Sequence, residues 1–141
     1  MEDLGNIQEY AKKHSVPIMR DESCQFICDY IKSHNLKKVL EIGTAIGFSS
    51  INFALAADDV YVTTIELDID RHITAKQNIH NMNLDDRITP IYGDALVHEF
   101  NEKFDLIFID AAKAQYIRFF EKFKNNLSEQ GVIVSDNLSF H

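Results

Sequence analysis

The segment Phe104-Asp-Leu-Ile-Phe-Ile-Asp110-Ala-Ala-Lys113 and its echo Gly131-Val-Ile-Val-Ser-Asp136-Asn137 set two carboxylates, an amide and an ammonium where two apolar runs stop. Asp110, Asp136 and Asn137 offer only oxygen donors, which suits Mg²⁺ or a similar hard cation and disfavours zinc. Lys113, three positions past Asp110, reads either as a proton acceptor beside such a cation or as a plain surface lysine. The competing reading of Asp110 and Asp136 is structural, as helix caps or turn formers.

A second group of motifs lies upstream. Glu41-Ile-Gly43-Thr-Ala-Ile-Gly47-Phe-Ser49 is a glycine-bearing turn that opens a helix. Gly43 and Gly47 allow close backbone approach to a ligand, and the helix amides with the Ser49 hydroxyl suit an anion such as a carboxylate. The spacing departs from G-x-G-x-x-G, which weakens a nicotinamide oxidoreductase reading. Glu66, at the end of Tyr61-Val-Thr-Thr-Ile-Glu66, stands roughly where doubly wound folds place a ribose-binding acid, although a solvated helix cap would look the same. Gly93-Asp94-Ala95 fits beside a base or forms a turn.

These groups need elements to position them. Helical patterns run from Leu4 to His14 and from Asp21 to His34, separated at Val16-Pro17. Strands and helices then alternate: strand 38–42, helix 47–57, strand 61–66, helix 68–83, strands 88–92 and 104–110, helix 115–127 with Ile117, Phe120 and Phe123 inward, and strand 132–135. Val/Ile/Phe-rich strands alternating with helices predict a parallel α/β sheet, whose carboxyl ends border the ligand crevice. The expected organisation is one domain over 1–141, with N-terminal helices 1–36 and an α/β core 37–141. The sequence stops directly after its fifth strand, so the expectation is a sheet truncated there.

Composition narrows the classes. The 141 residues, 45% hydrophobic with ten Phe and five Tyr, suffice for one packed core and argue against disorder. A formal net charge of -8 disfavours indiscriminate attraction to phosphate backbones, so a nucleic-acid partner would need a local basic surface. Cys24 and Cys28, four apart with Ile27 and Ile31, read as core thiols. No basic start followed by an apolar run and no membrane-length segment is present, from which a cytoplasmic protein without membrane contact is expected.

Taken together, Glu41 to Gly47, Thr64-Ile-Glu66, Gly93-Asp94-Ala95, Phe104 to Lys113 and Ser135-Asp136-Asn137 resemble the cation-dependent, S-adenosylmethionine-dependent O-methyltransferases of the catechol O-methyltransferase-like family. The resemblance runs from about Tyr10 to the last residue. It implies a Rossmann-like class I methyltransferase fold that continues past Asn137 with a further helix and two strands, and a homodimer at full length. It also implies that Glu41, Gly43 and Ser49 serve the methionyl end of the cofactor, Glu66 its ribose, and Asp94 with Ala95 its adenine, while Met19 packs beside it. Asp110 would border the cofactor and, with Asp136 and Asn137, hold Mg²⁺; Lys113 would take the substrate proton.

Within the family, Val16-Pro17-Ile18-Met19 and the Gly-Thr-Ala-Ile-Gly and Asp-Ala-Ala-Lys forms are most similar to bacterial tRNA 5-hydroxyuridine methyltransferases. That similarity implies a wobble uridine in tRNA as substrate, with Lys12, Lys13, Lys37, Lys38, Arg118, Lys122 and Lys124 as candidate phosphate contacts. The negative charge favours the alternative, a small catechol-type diol. A cofactor-binding fragment without activity is the third reading.

Overall fold

Five apolar runs pair side by side in the computed structural model, which describes residues 4–135 of the chain. They are β1 (Lys38–Ile42), β2 (Tyr61–Glu66), β3 (Ile88–Tyr92), β4 (Phe104–Ile109) and β5 (Leu127–Ser135), all parallel, in the order β3-β2-β1-β4-β5. Helices α1 (Leu4–Lys13) and α2 (Asp21–Ser33) precede the sheet; α3 (Phe48–Leu55), α4 (Ile69–Asn81) and α5 (Lys113–Phe123) lie in its crossovers. The chain lays β2 and β3 to one side of β1, then returns to lay β4 and β5 on the other. The order therefore reverses at β1, and in open α/β sheets the crevice outside the carboxyl ends at such a reversal is where ligands bind. The Rossmann-like α/β sheet expected from the sequence is the one observed.

Strand side chains alternate between the two faces, so each strand feeds two cores. Val39, Val62, Leu106 and Phe108 join Ile7, Ala11, Ile27, Ile31, Ile51 and Phe53 from α1, α2 and α3. Leu40, Ile42, Ile65, Ile107 and Ile109 face the other way and meet Phe123 with Tyr116 and Phe119 from α5. Glu41 shares the parity of Val39 and is thereby sent into the α2–α3 side. Cys24 is buried and Cys28 half-buried on α2, both free thiols packed with the first core. No helix among the described residues is long and apolar enough to cross a membrane.

Three helices stop in the same way. Ser15, Asn35 and Asn83 take φ of 55°, 53° and 58°, and the next amides, of Val16, Leu36 and Leu84, donate to the carbonyls of Ala11, Ile31 and Ile79 at 2.8, 3.0 and 3.1 Å. This left-handed closure satisfies carbonyls that a helix end would otherwise leave exposed. Pro90 sits in β3, which among the described residues is an edge strand paired with β2, where a missing N–H does no harm.

The last crossover departs from expectation. α5 ends at Phe123, a 3-10 turn covers Lys124–Asn126, and β5 begins at Leu127 instead of at Val132. Leu127 pairs with Phe104, and the register then shifts before Leu106 meets Val132. The exposed Glu129 and Gln130 occupy that irregularity, and their polarity hides the strand from a hydrophobic-run reading. Ile117 is 62% and Phe120 37% exposed, so the inward face expected of α5 is also corrected. Tyr116, Phe119 and Phe123 form the inward stripe at helical spacing, and Ile117 with Phe120 lies on its flank.

Candidate active site

Where β1 ends, the chain turns through Gly43 at φ 97°, Ala45 at φ 49° and Gly47 at φ 92° before α3 begins. A Cβ on Gly43 would stand 3.0 Å from the Asp110 carbonyl oxygen and 3.3 Å from the Asp110 Cβ, so a bare α-carbon lets the ends of β1 and β4 come this close. The amides of Gly43 and Thr44 donate to the Ile65 carbonyl at 2.9 and 3.3 Å, tying the turn to β2. Glu66 completes the frame: its carboxylate accepts from the Ala45 amide at 2.7 Å and from the Asp68 amide at 3.0 Å. Asp68, not Glu66, caps α4, accepting from the Arg71 amide at 3.0 Å.

Beneath the turn lies a buried polar chain. Glu41 is fully buried, and its two oxygens accept from the Ser49 hydroxyl and, at 2.8 Å, from the Thr64 hydroxyl. Thr64 in turn meets the Thr44 hydroxyl at 2.5 Å. The register makes this possible, since Glu41 stands beside Thr64 and Phe108 in the sheet. Burial pushes the Glu41 carboxyl up to about 8; the Ser49 and Thr64 hydroxyls oppose that rise, and the charges of Asp110 and Glu66 reinforce it.

Two cavities at the strand ends share Gly43 and Asp110 in their linings and together make up the crevice. The wider, about 200 Å³, is lined by Gly43, Glu66, Asp94, Ala95, Asp110 and Phe119, among others. The narrower, about 10 Å³, is lined by Met19, Gly43, Ser49, Phe108 and Asp110, among others. A larger groove of about 540 Å³ between α1 and α4 is lined by Asn6, Ile7, Tyr10, Lys76 and Gln77, among others, and reaches none of the strand ends.

Comparison with known proteins places this geometry. The family model described as O-methyltransferase matches residues 1–141, the whole sequence. The chain belongs to the O-methyltransferase family. It is 30% identical over 131 residues to the caffeoyl-CoA O-methyltransferase of Populus kitakamiensis, covering 87% of this chain and 54% of that protein. Among solved structures, a "putative caffeoyl-CoA O-methyltransferase" from Staphylococcus aureus is 38% identical with a TM-score of 0.90, covering 97% of this chain and 67% of that one. The O-methyltransferase of Bacillus cereus, solved with S-adenosylhomocysteine, is 27% identical with a TM-score of 0.84, covering 96% and 66%. The chain spans 60% of the length of the two curated relatives it matches over 94% of its own sequence.

In this member of the O-methyltransferase family the crevice gathers seven of the expected residues: Met19, Gly43, Ser49, Glu66, Asp94, Ala95 and Asp110. Glu41 is the exception. Expected at the cofactor, it lies under the floor and holds Ser49, because strand parity sends it into the core. Ser49 is likewise committed to Glu41 and is not a plain anion donor. Asp110 is exposed at the end of β4 and is not the N-cap of α5, a place held by Ala112, so the helix-cap reading of Asp110 fails. Lys113 is exposed as the first residue of α5. Asp136 and Asn137 lie outside the described residues; the last described residue of β5, Ser135, pairs with Ile109.

The donor chemistry fits the groups the family implies. The close approach that Gly43 permits, with Glu66 and Asp94 on one wall, suits a nucleoside bearing an amino-acid arm. The described part of the metal set, the exposed Asp110 carboxylate, is an oxygen donor that suits a hard cation. No cluster of three or more His, Cys, Asp or Glu that could hold a metal occurs among the described residues. Sequence reasoning missed Thr44, Thr64, Ala45 and Phe119. The adjacent Thr63-Thr64 in an otherwise apolar strand was the available signal for the buried chain; nothing in the sequence marks Ala45 or Phe119.

The basic residues offered as phosphate contacts are placed less favourably. Lys37 and Lys38 lie at the start of β1, roughly 13 Å of strand away from its carboxyl end. They pair with Asp59 at 2.5 Å and Glu102 at 2.7 Å. Lys124 pairs with Glu121 at 2.8 Å, and Lys122 donates to the Ala95 carbonyl at 2.6 Å and to the His98 carbonyl. Arg118 donates to Gln115 at 3.3 Å. Each of these five therefore has a partner within the chain: a carboxylate for Lys37, Lys38 and Lys124, and an uncharged oxygen for Lys122 and Arg118.

Proposed function

We propose that the protein transfers a methyl group from S-adenosylmethionine to a hydroxyl of a small catechol-type diol, with a divalent cation beside the acceptor. The observation that carries this reading is the convergence of Gly43, Glu66, Asp94 and Asp110 on one crevice at the sheet's reversal point. Each Glu66 oxygen keeps a lone pair beyond its amide bond, and these accept from the ribose hydroxyls. Asp94 and Ala95 border the adenine, while Met19, Gly43 and Ser49 line the narrow part for the methionyl arm. Asp110, with Asp136 and Asn137, would hold the cation, and Lys113 would accept the proton of the attacking hydroxyl. Bound there, the cofactor supplies an electrophilic methyl group and the cation supplies positive charge that favours the ionised hydroxyl. The chain's own contribution is alignment, which shortens the search for an in-line attack.

Small molecules are favoured over tRNA because Lys37 and Lys38 stand at the far pole of the sheet and Lys122 is bound to carbonyls. The relatives named for caffeoyl-CoA carry a catechol ring in that name, in keeping with the same class. A wobble 5-hydroxyuridine is the competing substrate: Lys12 and Lys13 are exposed and in no described ion pair. The deciding experiment offers caffeate, catechol and hydroxyuridine-containing tRNA to the protein with S-adenosylmethionine, with Mg²⁺ or a chelator, at low and high salt. Cation-dependent methylation of a diol, insensitive to salt, is the expected result. Methylation of tRNA alone, falling steeply with salt through lost phosphate contacts, would reverse the assignment.

A further inference from the structure

The turn after β3 carries Asp94 and Ala95, and it is closed on itself. The amides of Val97 and His98 donate to the Asp94 carbonyl at 3.0 and 2.9 Å, and the Leu96 amide donates to the Asp94 carboxylate at 2.9 Å. One ammonium joins this turn to the opposite wall of the crevice. Lys122, on the last turn of α5, donates to the Ala95 carbonyl at 2.6 Å and to the His98 carbonyl, and its Nζ lies 4.5 Å from the centre of the Phe123 ring. Phe123 is 1% exposed, so the residue beside Lys122 is fixed in the core. A lysine at a protein surface ordinarily keeps its ammonium in water. Here burial disfavours its charge, and Glu99 and Asp94 offset only part of that cost, so the ammonium is held below its usual range. Two carbonyls and a ring face gathered around one cation form a staple between the turn and α5.

We propose that Lys122 is a positioning residue that pins the Asp94–His98 turn to α5 and so sets the preference of the cofactor site for adenine over other purines. This rests on the cofactor reading given above. Adenine presents an exocyclic amino group that donates to a carboxylate; hypoxanthine presents a carbonyl oxygen there, which a carboxylate repels. A pinned Asp94 expresses that difference in full. A turn released from α5 lets Asp94 withdraw from the wrong base, and selectivity falls together with affinity.

The test compares the wild-type chain with Lys122→Met and Lys122→Arg by calorimetry, using S-adenosylhomocysteine and its hypoxanthine analogue S-inosylhomocysteine, with thermal midpoints recorded for each. The wild type should prefer the adenosyl ligand by about tenfold or more, the scale of one charge-assisted hydrogen bond. Lys122→Met should lose about tenfold in adenosyl affinity and most of the preference, and Lys122→Arg, which also donates to two carbonyls, should restore both. General destabilisation would lower the midpoint without changing the ratio of the two affinities. Lys122→Gln, which keeps a donor without the charge, substitutes if the Met variant does not fold and should show the same loss in smaller degree. A Met or Gln variant that folds and keeps the wild-type ratio overturns the staple. A wild-type chain that binds neither ligand overturns the cofactor reading itself.

Discussion

Glu41→Gln keeps the shape of a fully buried carboxyl while removing its titration, and the consequence for stability follows from the position of its proton. In the folded chain Glu41 holds a proton up to about 8, because ionisation in the core lacks water; an unperturbed carboxyl gives it up at 4.5. Between those values the folded state binds more protons than the unfolded one, so stability is complete at low pH and declines as pH rises, levelling off above the folded value. Integrating that difference gives a loss of about 2 kcal/mol between pH 6 and pH 8. The hydroxyls of Ser49 and Thr64 rotate to serve either form, and the glutamine amide offers both a donor and an acceptor to them. Urea denaturation of both proteins at pH 6, 7 and 8 measures the effect. The difference between the two curves cancels every group common to both proteins. Wild type should weaken relative to Glu41→Gln by about 2 kcal/mol across the interval. Parallel curves, or a wild type that gains on the variant as pH rises, would refute a protonated Glu41.

Three further outcomes are expected. Gly43→Ala meets the Asp110 carbonyl at 3.0 Å from a φ of 97°, and should cost about 2 kcal/mol and abolish S-adenosylhomocysteine binding by calorimetry; a variant with wild-type midpoint and affinity would deny the close approach. Burial pushes the Asp105 carboxyl up, but the Lys37 amide at 2.9 Å, the Ser128 hydroxyl at 2.8 Å and the Lys38 amide at 3.1 Å outweigh it and hold it below its usual range. Asp105→Ala should therefore lose about 1 kcal/mol at neutral pH, and the gap should close as pH falls through that lowered value, because the wild-type bonds are present above it and lost below it. Charge reversal of Lys37 and Lys38 should leave methylation within about twofold and change stability only slightly, because exposed, screened pairs contribute little; a steep loss confined to tRNA would restore these lysines to a substrate face.

Period and composition made the sheet legible, and parity governed what they could not show. Lys38-Val-Leu-Glu-Ile42 reads as a strand from its residues alone, yet whether Glu41 faces ligand or core depends on the neighbours in register, Thr64 and Phe108. The glycine turn and Glu66 were readable because their chemistry is local. The start of β5 was not, since Glu129 and Gln130 sit in an irregularity that only pairing with β4 creates. The α5 face failed for a related reason: Ile117 is the more apolar side chain, yet the sheet takes its neighbour Tyr116 and leaves Ile117 exposed. Lys122 looked like any surface lysine until the turn after β3 placed two carbonyls above it.

Three carboxylates on neighbouring strand ends differ chiefly in depth, and depth sorts their work. Glu41 on β1 is fully buried and holds its proton, so it contributes hydrogen bonds to the floor without a lasting charge. Glu66 on β2, 8% exposed, lines the crevice and spends one lone pair of each oxygen on the amides of Ala45 and Asp68. Asp110 beyond β4 is exposed, where a full negative charge is cheapest and a cation or a positively charged ligand can reach it. Grading them from core to mouth lets the sheet close tightly at Gly43 while the negative potential concentrates at the opening, where a sulfonium and a divalent cation would both be drawn.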